Sequence, residues 1–382
     1  AWTGGLQLPV EPTAGPTPQG RDELMQVLRA RADGGTSIVC ITHKLREVRA
    51  VADRINVSRR GKVVGEASPG STSAELASMM VGRPVQLTVD KAPAVPGEPV
   101  VEVDSLRVVD ETGQVLVDDV SFSVRAGEIF AVAGVQGNGQ TELTECLIGL
   151  TRPTSGKIRI AGDDVTHESI DEILSRGVGY VPEDRSHDGL VGGFSIAENL
   201  VLDIFDQAPF AKGLSMDLKA IDDNAEHRVR EFDVRTSSIR ANASTLSGGN
   251  QQKLVLAREL SRPLRLLVVA QPTRGVDVGS QEFVHRRIVD ERDNGAAVVL
   301  ISSELDEVLG LADRIAVMYR GRIIGEGPAG TPAAAIGLLM AGPTAGEAQR
   351  GRTARRATTA GRPNPRARLR RGADPHPAAH HE

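Results

Sequence analysis

Three features of this 382-residue chain predict an α/β fold whose central strands are buried on both faces. Short β-branched runs recur, each followed by a helix-like segment. One apolar run empties into a glycine-rich turn, and a stretch of 30 residues occurs twice. Apolar residues make up 40% of the chain and charged residues 25%, the balance of a polypeptide that buries real cores. Its length suits two domains of middling size.

The repeat sets the organisation. Ser37 to Glu66 reads SIVCITHKLREVRAVADRINVSRRGKVVGE, and Ala297 to Glu326 reads AVVLISSELDEVLGLADRIAVMYRGRIIGE. The offset is constant at 260 and 14 of 30 positions are identical. The same offset aligns Glu11-Pro12-Thr13 with Gln271-Pro272-Thr273. A counterpart of the glycine turn at Gly134 would fall before residue 1. The expected organisation is therefore the last third of one domain over 1–68, a linker over 69–98 and a complete second copy over 99–342. Residues 343–382 read as a disordered, Arg-rich tail. The linker is read from Pro69, Gly70, Pro84, Pro93, Pro96 and Gly97.

Within each copy, Ser37–Thr42 and Ala297–Ser302 read as buried parallel strands. Lys44–Val51 and Glu304–Leu311 read as the helices that follow, each leading to a further strand and an Arg-Gly turn. Forty-five basic against 50 acidic side chains give −5; the tail carries +6, which leaves −11 on the rest. An acidic body argues against a nucleic-acid binder, whose footprint is basic. No run of 18 apolar residues reads as a membrane-spanning helix, and no signal-peptide pattern is read in the opening residues. Two cysteines, Cys40 and Cys146, exclude a disulfide scaffold and fit a reducing compartment.

Glu128–Ala133 is an apolar strand that runs into Gly134-Val-Gln-Gly137-Asn138-Gly139-Gln140-Thr141, with a helix expected from Glu142. This is the spacing of a phosphate-cradling strand–loop–helix, in which backbone N–H groups and the helix N-terminus face an anion. A dinucleotide fingerprint would need glycine at 142, where Glu142 stands. Gln140 replaces the lysine that would neutralise β- and γ-phosphates, and Thr141 keeps a hydroxyl for Mg²⁺. The turn is expected to hold nucleotide weakly and to cleave it poorly.

A second signal is Leu246-Ser247-Gly248-Gly249-Asn250-Gln251-Gln252-Lys253, followed by an Ala-Arg helix, the strand Leu266–Ala270 and Pro-Thr-Arg-Gly-Val-Asp277. These residues resemble the signature and D-loop of ATP-binding cassettes. With the duplication, the chain resembles the fused double-cassette ATPase of bacterial sugar and nucleoside importers over about 6–340. The resemblance implies a P-loop NTPase cassette: a mixed-sheet core with helices and a helical signature subdomain.

In that family two cassettes pack head to tail, and ATP lies between one copy's phosphate turn and the other's signature. The resemblance makes Ser247, Gly248 and Gly249 an anion site for the γ-phosphate. It puts Ala270, Gln271 and Ser303 where the Mg²⁺ acid, the catalytic Glu and the switch His stand, so the second site looks degenerate. In the first copy Glu11 matches the catalytic Glu and His43 the switch His. Val10 takes the acid's place, so either that acid is lost or the first ten residues are not native sequence. Glu183, Asp184 and Arg185 resemble the Q-loop region, with Glu183 in place of Gln, and make 183–200 the candidate permease-coupling surface. No aromatic stands near Val108–Val109, where an adenine-stacking ring is expected.

The resemblance implies an importer's ATP-driving subunit for simple sugars or nucleosides, with ATP and Mg²⁺ as cofactors. Its partners would be integral membrane permeases and, indirectly, a solute-binding lipoprotein or periplasmic-type binding protein. A second copy of the same ATPase chain is allowed, and no nucleic acid is expected. The location implied is peripheral, on the cytoplasmic face of the plasma membrane. The turn and the Ala270–Gly275 run look more like the nucleoside-type branch. An alternative is a truncated, non-hydrolysing scaffold or pseudogene product. Soluble double-cassette factors of translation or DNA repair would keep Glu in both copies, which Gln271 opposes.

Overall fold

The computed structural model describes residues 6–10, 18–59, 61–86, 89–213 and 215–342. Glu11 and the Arg-rich tail 343–382 lie outside the described residues.

Along the chain come β1 (Leu6–Gln7), α1 (Pro18–Asp33), β2 (Ser37–Ile38), α2 (Leu45–Val51), β3 (Ile55–Arg59), β4 (Lys62–Ala67) and α3 (Ser73–Val81). There follow β5 (Pro99–Val109), β6 (Val115–Arg125), β7 (Ile129–Ala133), α4 (Gln140–Leu147), β8 (Ser155–Ile160), β9 (Asp163–Asp164), α5 (Ile170–Ser175) and β10 (Val178–Val181). A helical region holds α6 (Ile196–Leu200), the short β11 (Ala211–Lys212) and β12 (Ser215–Met216), α7 (Leu218–Glu231) and α8 (Gly248–Glu259). The chain closes with β13 (Leu266–Ala270), α9 (Val278–Asp293), β14 (Ala297–Ser302), α10 (Leu305–Leu311), β15 (Arg314–Tyr319), β16 (Arg322–Pro328) and α11 (Ala333–Ala341).

The main sheet runs β10-β13-β14-β7-β15-β16, parallel except for β16 at its edge. Every residue of β7, β13 and β14 is buried, as both covered faces of a parallel sheet require. One face packs on an antiparallel sheet, β6-β5-β8-β9, through Phe130, Val132, Val268 and Val299 against Val101, Leu106 and Ile158. The other face, through Ile129, Ala131, Val269 and Leu300, packs on helices that include α6, α8 and α9. Among the described residues no helix is long and apolar enough to cross a membrane.

Residues 6–81 repeat the elements of 266–341 at the 260-residue offset. Helices α1, α2 and α3 begin and end where α9, α10 and α11 do once 260 is added. Leu6 pairs with Ser37 as Leu266 pairs with Ala297, and the bulge at Val57/Ser58 recurs at Val317/Met318. One strand differs. β14 and β15 both pair with β7, whereas β1-β2 and β3-β4 are separate two-stranded sheets. Leu6, Val39 and Ile41 are accordingly more than half exposed, while their equivalents Leu266, Val299 and Ile301 are buried.

Three expectations need correction. The stretch 69–98, read as linker, contains the helix α3. Thr72 and Glu75 form a capping box at its start, and Leu76 and Ala77 are buried, so its apolar face outweighs the flanking prolines. The strand expected over Ser37–Thr42 is regular only at Ser37–Ile38, with an isolated bridge from Val10 to Ile41, because no second neighbour holds it. Helix α4 begins at Gln140 rather than Glu142, since Gly139 at φ 98° already turns the backbone into it.

Candidate nucleotide site

Strand β7 delivers Gly134–Gly139 to the start of α4. Gly134 and Gly139 are sterically required. A Cβ on Gly134 would sit 2.7 Å from both Gln140 Nε2 and the Met318 carbonyl oxygen, and one on Gly139 would sit 2.4 Å from the Leu116 carbonyl oxygen. Asn138 fastens the turn to the β15–β16 hairpin: its Oδ1 accepts from Arg320 N at 2.8 Å and its carbonyl from Gly321 N at 2.9 Å.

Gln140 is 5% exposed, and neither Nε2 nor Oε1 has a hydrogen-bond partner. An unpartnered buried amide costs roughly 1–3 kcal/mol, a cost that a bound hydrogen-bonding group removes. The amide lies at a helix N-terminus, where the field favours an anion. Thr141, Tyr180, Glu183, Ala270 and Gln271 line the same space, about 20 Å³. The turn therefore fits a phosphate oxygen but offers it no cation. It does not fit a divalent metal ion: the one acid that lines this space, Glu183, is already engaged by Arg274 and Gln136. Among the described residues no cluster of three His, Cys, Asp or Glu could hold a metal.

Gln271 and Ser303, far apart in sequence, meet here. Gln271 Oε1 accepts from both the N–H and the hydroxyl of Ser303 at 3.1 Å each, and Gln271 adopts φ 47°. The loop below is locked by buried Glu307, which accepts from Ser302 Oγ at 2.6 Å and Thr273 Oγ1 at 2.7 Å and contacts His285 Nε2 at 2.9 Å. Ala270 ends β13 buried. A neutral amide and a hydroxyl that satisfy each other activate no water.

Ser247 is the residue before α8, yet its hydroxyl caps no backbone N–H and accepts instead from Asn250 Nδ2 at 2.9 Å. It is exposed, with the α8 N-terminus behind it. Gly248 and Gly249 permit tight packing: a Cβ on Gly248 would lie 2.5 Å from Arg185 Nη2, and one on Gly249 2.5 Å from Ser280 Oγ. Asp277 caps α9, accepting from Gly279 N at 3.0 Å and Ser280 N at 3.1 Å. The fold thus brings signature, D-loop and Arg185 together. Leu246 is half-buried, and Gln251 Nε2 donates to the Ala243 carbonyl at 3.3 Å.

Glu183 crosses the mouth of the phosphate turn, where it accepts from Gln136 Nε2 at 2.9 Å and pairs with Arg274. Arg185 Nη1 donates to the Arg274 carbonyl at 2.8 Å, and burial holds its guanidinium below the usual value. Asp184 caps the turn that follows, accepting from Ser186 N at 3.0 Å and His187 N at 3.1 Å. Beyond it, Val191 and Phe194 are exposed. His43 is half-buried in the loop before α2.

Sequence reasoning missed Gln136 and Arg274, whose link to Glu183 depends on tertiary folding, and Tyr180, whose phenol burial pushes up. It also missed Lys44 and Glu304, which pair at 3.0 Å. That pair had a visible signal, because the aligned repeat places opposite charges at those two positions.

The family model described as "ABC transporter" matches residues 117–274. The chain is 46% identical to the nucleoside import ATP-binding protein NupA of Lactococcus lactis subsp. cremoris, over 87% of this chain and 66% of that protein. It is 44% identical to the glucose import ATP-binding protein TsgD13 of Haloferax volcanii, over 87% of this chain and 61% of that protein. It is also 44% identical to the guanosine import ATP-binding protein NupO of Bacillus subtilis, over 88% of this chain and 67% of that protein. The chain spans 61 to 67% of the length of these relatives. A solved ATP-binding cassette of an ABC transporter in its ADP conformation shares the fold, with a TM-score of 0.54 at 20% identity over 67% of this chain and all of that one.

Proposed function

The chain belongs to the ABC transporter ATP-binding family, and from that premise we propose that it is an ATP-binding subunit that drives import of nucleosides or simple sugars. The observation that carries this reading is a phosphate turn at Gly134–Thr141 and a signature at Ser247–Gly249, with Ser247 exposed, on one cassette fold. Its partners are membrane permeases, with a solute-binding protein acting through them, and it sits peripherally on the cytoplasmic face of the membrane.

The repeated elements support a two-cassette protein of which 6–81 is the end of the first. The unpaired edges of β2 and β3 fit a phosphate-turn strand equivalent to β7 that lies outside this sequence. Hydrolysis belongs to the site that joins that turn, Glu11 and His43 to Ser247, Gly248 and Gly249. Mg²⁺ belongs there too, where it would neutralise phosphate charge. The second site, with Gln140, Ala270, Gln271 and Ser303, binds nucleotide without cleaving it. Glu183, Asp184, Arg185 and the exposed Val191 and Phe194 form the permease-facing surface. Similarity to both nucleoside and glucose importers leaves the two solute classes as the readings to separate.

The test is uptake of labelled nucleosides and sugars by cells lacking this gene, complemented with the natural protein or with His43→Ala or Ser247→Arg. Both variants should accumulate normally and abolish uptake of one solute class. Full uptake by either variant overturns the site assignment. No uptake defect in the deleted cells favours the non-hydrolysing scaffold, which would show no ATPase activity even with its permease.

A further inference from the structure

Lys44 and Glu304 occupy equivalent places in the repeat. Lys44 precedes α2 and Glu304 precedes α10. The Lys44 N–H donates to Thr42 Oγ1 at 3.1 Å, and the Glu304 N–H to Ser302 Oγ at 3.0 Å. Each hydroxyl in turn donates to a helix carboxylate, Thr42 to Glu47 at 3.3 Å and Ser302 to Glu307 at 2.6 Å. The two loops are the same local structure with one charge reversed. Between them, Lys44 Nζ donates to Glu304 Oε1 at 3.0 Å.

A residue that touches its own equivalent lies beside the axis relating the two copies. Helix packing places the axis there too. α1 packs on α11 and α3 on α9. Under the 260-residue offset α1 corresponds to α9 and α3 to α11, so these are one contact seen from both sides, as in an isologous interface. Two identical copies joined this way would oppose like charges: Glu304 to Glu304 for two second copies, Lys44 to Lys44 for two first copies. The side chains are 20% and 39% exposed, so water and salt screen the charges only in part.

We propose that Lys44 and Glu304 determine pairing specificity, so that this face joins a first-copy segment to a second-copy cassette and rejects two cassettes of the same kind. The face is then satisfied within one chain, and a second copy of the chain is not recruited through it. The inference rests on the two-copy reading of the repeat.

Charge reversal in the full chain tests it, read by amide hydrogen exchange across Leu45–Val51 and Leu305–Leu311. Lys44→Glu and Glu304→Lys should each raise exchange there by about three- to tenfold, the size expected when repulsion between like charges replaces a partly exposed ion pair. The double reversal should return exchange to the natural level. The milder Lys44→Met and Glu304→Gln, which remove attraction without adding repulsion, should raise exchange less than the reversals and guard against loss of folding. Additive losses in the double variant, or equal effects of neutral and reversed residues, overturn the proposal. Failure of the transport reading would instead appear as absent uptake with the exchange rescue intact.

Discussion

Gln271 Oε1 accepts two hydrogen bonds from Ser303, one from its N–H and one from its hydroxyl. The two residues that family resemblance marks as replaced are therefore bonded to each other. Gln271→Glu alone should not create hydrolysis at this site, because Ala270 and Gln140 still supply neither acid nor cation. Single-turnover ATP cleavage by the variant should stay at the level of the unsubstituted protein, and a rise above it would show that the second site lacks only one group.

The unpartnered Gln140 amide leads to a binding prediction. Gln140→Lys would put an ammonium group in the turn and a charge-assisted hydrogen bond on phosphate, worth roughly 1.5–3 kcal/mol. Titration with a fluorescent ATP analogue should show affinity higher by about tenfold or more. Unchanged affinity would mean that the turn does not contact phosphate.

Arg292 is 1% exposed and bridges Asp313 at 3.1 Å, Asp293 at 2.5 Å and the Ala92 carbonyl at 3.1 Å. Lys91 joins the same Asp313 at 2.5 Å, so the segment before β5 is fastened to the complete cassette by this cluster. Arg292→Ala leaves Asp313 with only Lys91 as a charged partner and opens a cavity. Urea denaturation should show a loss of about 1.5–3 kcal/mol, the size of lost charge-assisted hydrogen bonds where Lys91 still compensates Asp313.

Burial pushes the Cys146 thiol up to about 12, so almost no thiolate exists at neutral pH. Native alkylation at pH 8 followed by peptide mass spectrometry should label half-buried Cys40 well before Cys146. Denaturation should make the two equally reactive.

Three capping boxes set an acid limit on stability. Hydrogen bonds from Ser195 hold Glu198 below the usual carboxylate range, and those from Ser169 and Thr72 do the same for Glu172 and Glu75. A carboxyl depressed in the folded state stabilises it above the unfolded value, about 4.3, and the contribution is lost as pH falls through the folded value. The Tm should stay level from about pH 7 to 5.5 and fall below about 4.5. Glu198→Gln should make the acid fall shallower; an unchanged slope would remove Glu198 from the account.

Local pattern was enough for much of this molecule. Ala297–Ser302 and Leu305–Leu311 lie where β-branching and helical spacing put them, and Gly134 and Gly139 of the phosphate turn stand where a Cβ would collide. The repeat makes His43 equivalent to Ser303, because a constant offset is a property of the sequence itself. α3 was obscured since Pro69 and Pro84 dominate its surroundings, while the burial of Leu76 and Ala77 that stabilises it comes from distant partners.

Tertiary structure alone decided the contacts that close the sites. Glu183 meets Arg274 and Gln136 because β10 and β13 are neighbours in one sheet whose edge overlooks the turn. Gln271 meets Ser303 because β13 pairs with β14. Lys44 meets Glu304 because α1 packs on α11 and α3 on α9. Residue types and short-range spacing record what each segment can form. Which side chains face one another depends on strand order and helix packing, and those are settled by burying apolar surface across the whole chain.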